Sequence, residues 1–118
     1  MHEASLCAAL LLLVQEEARR HRAERIVTVR LGVGVLAAVE ARALAACFEL
    51  LAEGTLAEGA KLVTDPVPAA AVCRACGRAF PLFRPRDVCP DCGGAALDVT
   101  GGRECTLTGL EAAGSEGR

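Results

Sequence analysis

The feature that most constrains this chain is a pair of cysteine knuckles. They read Cys73-Arg74-Ala75-Cys76-Gly77 and Cys89-Pro90-Asp91-Cys92-Gly93, with twelve residues between the second and third cysteines. Two thiolates spaced two residues apart grip one ion from a tight turn, and two such turns close a tetrahedral four-sulfur site. The glycine after each pair supplies the positive φ that the turn requires. The spacing predicts a structural four-cysteine zinc ribbon over 70–101 with Cys73, Cys76, Cys89 and Cys92 as ligands. A rubredoxin-like iron site has similar knuckles but is usually wrapped in aromatics. Those are scarce here, with no Trp, no Tyr and three Phe. A thiol redox pair would need one C-x-x-C rather than two. Arg74, Arg78, Arg84 and Arg86 read as solubilising charge on this small module, and Phe80 and Phe83 as its minimal core. A closed four-thiolate site has no open coordination position, so the chemistry of the chain is expected elsewhere.

At 118 residues the chain fits one domain, or one small domain with an appendage, and its 53% hydrophobic content and mean hydropathy of +0.35 allow a core of Leu, Val and Ala. The net charge of −2 lacks the basic footprint of a nucleic-acid binder. The apolar run at 6–14 falls far short of the roughly 20 residues that span a bilayer. It has no positive segment before it and no small-residue cleavage site after it, which predicts a cytoplasmic protein. Seven cysteines, an odd number with four in C-x-x-C pairs, fit that compartment as metal ligands and core residues.

Around the ribbon the periodicity predicts a helix over 5–22, with Leu6, Leu10, Leu13 and Val14 on its apolar stripe and Cys7 among them. A strand over 25–35 places Val27, Val29, Leu31 and Val33 on one face, and Gly32 and Gly34 permit a close approach at its end. A second helix is expected over 37–53 with Glu40 in its first turn, then a strand over 61–67. Residues 69–71 read as a link into the ribbon. A strand over 103–108, containing Cys105, is expected to rejoin the first sheet. The expected fold is α+β: a small antiparallel sheet with two helices, formed by 1–69 and 102–118, carrying the ribbon at 70–101 as an insert.

Met1-His2-Glu3 is the remaining oddity. A terminal amine, the amide nitrogen beside it and the imidazole of His2 make a compact nitrogen chelate, which suits Ni(II) or Cu(II). A lone histidine is weak evidence by itself.

The Met1-His2-Glu3 opening with Ser5 and Leu6 recurs in one order with Gly32-Val33-Gly34 and the helix end Phe48-Glu49-Leu50-Leu51-Ala52-Glu53-Gly54-Thr55. Val67-Pro68, the paired knuckles and Gly102-Arg103-Glu104 follow. Together these resemble the HypA/HybF family of nickel metallochaperones over nearly the whole chain. The resemblance implies a protein that is not an enzyme and that delivers nickel for maturation of [NiFe]-hydrogenase, in some organisms also to urease. It implies His2, Glu3 and the helix-start acid Glu40 as nickel ligands, nickel as transient cargo, and structural zinc on Cys73, Cys76, Cys89 and Cys92. It further implies the partner GTPase HypB and the hydrogenase large-subunit precursor as partners, neither membrane nor nucleic acid, and a monomer or weak homodimer. Cys105 stands where the family often has Leu. The alternative is a zinc-ribbon module for nucleic acid or a transcription complex, marked by salt-sensitive binding and indifference to His2.

Overall fold

The structure, a computed structural model, describes residues 3–114. Its elements in chain order are α1 (Glu3–Arg20), β1 (Arg25–Gly34), α2 (Ala41–Leu51), β2 (Lys61–Val67), β3 (Ala69–Cys73), β4 (Ala79–Leu82), β5 (Leu97–Thr100) and β6 (Cys105–Ala113). The strands form two three-stranded sheets, ordered β2-β1-β6 and β4-β3-β5. The fold class is α+β, and the C-terminal strand does rejoin the first sheet beside β1. No helix among the described residues is long and apolar enough to cross a membrane.

The chain divides into two compact units, one of residues 1–31, 39–64 and 107–118, the other of residues 32–38 and 65–106. In the first unit α1 and α2 pack together. The core draws Cys7, Leu10, Val14 and Ala18 from α1, Leu44 and Phe48 from α2, and Ile26, Val29 and Leu31 from β1. The buried stripe of α1 therefore keeps the expected Leu10 and Val14 but continues through Cys7 and Ala18, and Leu13 is exposed. Leu50 and Leu51 of α2 are also exposed; a helix of eleven residues has room for only one narrow buried line, which Leu44 and Phe48 fill. Ile26 is fully buried although it lies out of phase with Val29 and Leu31, so simple alternation does not describe this strand.

The helix ends follow local rules. α1 begins at Glu3, earlier than expected, and its last turn carries Arg19 and Arg20 where the dipole favours positive charge. It closes in a Schellman arrangement, with the Ala23 N–H donating to Ala18 O and the Arg22 N–H to Arg19 O. Arg22 takes the left-handed position there, at φ 57°. α2 begins at Ala41 rather than near residue 37. Glu40 stands outside its first turn, as the N-cap, and its Oε1 accepts from the Ala43 N–H at 2.9 Å.

In the second unit β3 is the central strand, antiparallel to both neighbours, with Ala69 opposite Leu82, Val72 opposite Ala79, Ala70 opposite Thr100 and Cys73 opposite Leu97. Residues 69–71, expected as a link, are thus the middle of a sheet; alanine has little strand preference of its own, and two paired partners override it. Ala69, Ala71 and Leu82 are buried, with Leu36, Phe80 and Leu97 packed against them. Phe83 is exposed and lies outside this core. The unit is closed by a tight backbone approach. Gly34 N–H donates to Glu104 O at 2.7 Å and Leu36 N–H to Gly102 O at 2.6 Å. A Cβ on Gly34 would stand 2.2 Å from Gly102 O, so the expected role of this glycine is met.

Candidate metal centre

The two knuckles are built alike, residue for residue. In the first, Gly77 N–H donates to Cys73 O and Cys73 N–H to Arg78 O, at 2.8 Å each. In the second, Gly93 N–H donates to Cys89 O and Cys89 N–H to Gly94 O, at 2.9 Å each. Gly77 and Gly93 sit at φ +82° and +75°, which explains glycine at both positions. With their carbonyls engaged, the turns aim backbone N–H groups at sulfur. The Cys76 N–H, helped by that of Ala75, holds the Cys73 thiol down to about 7. The Cys92 and Asp91 N–H groups lower the Cys89 thiol in the same way.

The four sulfurs of Cys73, Cys76, Cys89 and Cys92 lie within 4.8 Å of one another. Cys73 Sγ and Cys92 Sγ are 3.6 Å apart, as are Cys76 Sγ and Cys89 Sγ. A disulfide needs about 2.05 Å, so these are free thiols. Sulfurs at about 2.3 Å from one ion with tetrahedral angles stand about 3.8 Å apart, which matches the observed separations. Cys76 is pushed up to about 12: its Arg78 N–H contact pulls it down, but proton sharing with Cys89, burial and the other thiols outweigh that. Each sulfur pair thus shares a proton, and a divalent cation is the natural replacement for those protons. Among the described residues this is the cluster that could hold a metal ion.

Two arginines read as solubilising charge turn out to be paired around this cluster. Arg78 Nη1 meets Asp91 Oδ1 at 2.7 Å, joining the end of one knuckle to the tip of the other. Arg74 Nε meets Asp98 Oδ1 of β5 at 2.8 Å, while the Arg74 N–H donates to Ala96 O. The carboxylate inside the second C-x-x-C was the sequence signal for the first pair. Gly94, at the place equivalent to Arg78, has no room for a side chain to spare: a Cβ would lie 3.3 Å from Cys92 Sγ and 3.6 Å from Cys73 Sγ.

The other candidate ligands lie in the first unit. His2 lies outside the described residues. Glu3 and Glu40, far apart in sequence, are brought together: Glu3 Oε2 accepts from the Glu40 N–H at 3.2 Å. Glu3 in this way does for α2 what the third residue of a capping box does within one helix. Cys7 is fully buried and donates to Leu44 O at 3.2 Å, as expected of a core thiol. Cys47 and Cys105 are half-buried.

Comparison with known proteins places this geometry in a wider set. Residues 1–112 match the family model described as hydrogenase/urease nickel incorporation, metallochaperone, hypA. The hydrogenase maturation factor HypA of Alkalilimnicola ehrlichii is 45% identical over 111 residues, covering 94% of this chain and 98% of the relative. HypA 2 of Bradyrhizobium diazoefficiens is 40% identical over the same shares. The solution structure of the Ni metallochaperone HypA from Helicobacter pylori superposes with a TM-score of 0.69 at 27% identity, covering 98% of this chain and all of that one.

Proposed function

The chain belongs to the HypA family, and from that premise we propose that it is a nickel metallochaperone that binds Ni(II) and passes it on in the maturation of [NiFe]-hydrogenase. The observation that carries this reading is the family match over residues 1–112 in a chain that also closes a four-sulfur cluster. The family description extends the cargo's destination to urease.

The two proposed metal sites divide the work by coordination chemistry. Cys73, Cys76, Cys89 and Cys92 would hold zinc, a d10 ion without redox chemistry whose structural sites use four protein ligands. With no vacant position such a site keeps its ion and shapes the ribbon. The cargo site is assigned to His2, Glu3 and Glu40. Imidazole and amide nitrogens suit Ni(II). The Glu3–Glu40 contact supports grouping these two residues, because it brings the Glu3 carboxylate of one helix onto the backbone N–H at the start of the other. Transfer of this kind makes and breaks coordination bonds only, so the protein is proposed not to be an enzyme. Ribbon and nickel domain are taken as 70–101 and as 1–69 with 102–118. The partners proposed are HypB and the hydrogenase large-subunit precursor, in the cytoplasm, with the chain a monomer or weak homodimer.

The test is a Ni(II) titration of the zinc-loaded chain against its His2→Ala variant, followed by calorimetry or the d–d absorption of the bound ion. Wild type is expected to bind nickel beside a retained zinc, and His2→Ala to lose that binding. Equal nickel binding by the two would sink the assignment of His2.

A further inference from the structure

The first unit holds a second thiol pair that neither proposed metal site uses. Cys7 on α1 is fully buried, and its sulfur donates to the Leu44 carbonyl of α2. Cys47 follows Leu44 by three residues and so lies one turn further along the same face of α2. Cys47 is half-buried, and it is near enough to Cys7 to help raise that thiol. Two helices that pack together therefore bring two thiols to neighbouring turns of one seam, Cys7 sealed and Cys47 partly open to solvent.

We propose that Cys7 and Cys47 form an oxidation site that closes to an α1–α2 disulfide on reaction with a hydroperoxide. The accessible Cys47 sulfur attacks the peroxide as thiolate. The O–O bond breaks, an alcohol or water leaves, and Cys47 becomes a sulfenic acid. The Cys7 sulfur then attacks the Cys47 sulfur. The S–O bond breaks, the S–S bond forms, and water departs with the Cys7 proton. Two thiols and one hydroperoxide thus give one disulfide, one alcohol and one water, a two-electron oxidation.

Chemistry favours this product over a metal bound between the same sulfurs. Burial, then the neighbouring Cys47 and Glu3, push the Cys7 thiol up to about 12, so a thiolate ligand is disfavoured there. A disulfide is neutral and loses nothing by being buried. The same burial makes Cys7 a poor first nucleophile, which assigns the peroxide step to Cys47 and the resolving step to Cys7. The bond would fall one helical turn below Glu3, whose carboxylate accepts from Glu40. An effect on nickel would rest on the reading above; the oxidation itself does not.

The experiment treats the zinc-loaded full chain with a small excess of tert-butyl hydroperoxide, then denatures it, blocks free thiols with iodoacetamide and maps peptides without reduction. The expected result is an intact mass lower by about 2 Da before alkylation, a peptide pair linked through Cys7 and Cys47, and zinc still bound. In Cys47→Ser the link and the mass loss disappear. The wild-type map is the primary readout, so the conclusion does not depend on how well a variant folds. Recovery of Cys7 alkylated with Cys47 as sulfinic acid would overturn the proposal. So would links among the ribbon cysteines with zinc released, or Cys47 joined to a second chain. None of these readouts involves nickel, so failure here leaves the nickel titration to be judged by itself.

Discussion

Gly34→Ala tests whether the backbone closure of the second unit is as tight as its geometry says. The added methyl carbon would lie 2.2 Å from Gly102 O, 2.3 Å from the Gly102 carbonyl carbon and 2.7 Å from Arg103 N. Ordinary contact begins near 3.4 Å, so the two segments must part by about 1.2 Å. All three obstacles are backbone, which cannot swing aside like a side chain. Overpacking of this kind costs about 1–3 kcal/mol. The hydrogen bonds Gly34 N–H to Glu104 O and Leu36 N–H to Gly102 O lie across the same approach. Losing them adds about 1 kcal/mol each, which gives about 3–5 kcal/mol in all. With an unfolding entropy of about 2.1 cal/mol/K per residue over 118 residues, 1 kcal/mol moves Tm by about 4 °C. The variant should therefore melt about 12–20 °C below wild type by circular dichroism with zinc bound. Gly54→Ala is the control. Gly54 sits at φ +78° with nothing within 4 Å of a Cβ, so it bears only the left-handed backbone cost of about 1 kcal/mol. If Gly34→Ala melts within the range of that control, the close approach is not the constraint described.

Zinc analysis should give one ion per chain, and Cys73→Ser or Cys89→Ser should lose it; acidification should release it, because the ligands must be thiolates. The Arg78–Asp91 pair is about half exposed on both sides, at 45% and 57%, so a double-mutant cycle with Arg78→Gln and Asp91→Asn should give a coupling of only about 0.2–1 kcal/mol. Measured as zinc release to a chromogenic chelator, that is a few-fold; no coupling would mean the knuckles are not joined through this pair. Cys7 makes the first unit sensitive to alkali. Its thiol stands at about 12 when folded against 9.0 ordinarily, so the stability it contributes is whole below pH 9 and drains away as pH rises toward 12. Cys7→Ala should flatten the fall in Tm over that window, and an unchanged slope would refute the buried-thiol explanation.

What could be read from sequence was whatever is decided locally. The knuckles carry their own spacing and their own glycines, so their turns and the meeting of four sulfurs followed from a few adjacent residues. Gly34 announced a close approach because glycine in an otherwise β-branched strand has little other use. The misreadings all concern partners distant in the chain. Glu40 looks like a first-turn acid until Glu3 is found holding its amide, and nothing near residue 40 signals Glu3. Ala69 to Ala71 look like a link because strand preference is supplied by β4 and β5, which come later. Leu13, Leu50 and Leu51 are apolar yet exposed, since hydrophobicity marks what a core accepts and not what it has room for. The Arg78–Asp91 pair had a signal in the carboxylate inside the second C-x-x-C, but which arginine answers it was settled only when the two turns were set face to face.

The strand β3 ends in Cys73, which is both the last rung of a ladder and a donor to the four-sulfur cluster. An ion held there would act as a rivet at one end of a zipper. The central strand is gripped by neighbours along both flanks and pinned at its tip, so slippage of its register would have to tear a sulfur from the ion. A central strand made largely of alanine, with little side-chain bulk to mark which residue faces which, would in this way have its alignment set by coordination chemistry.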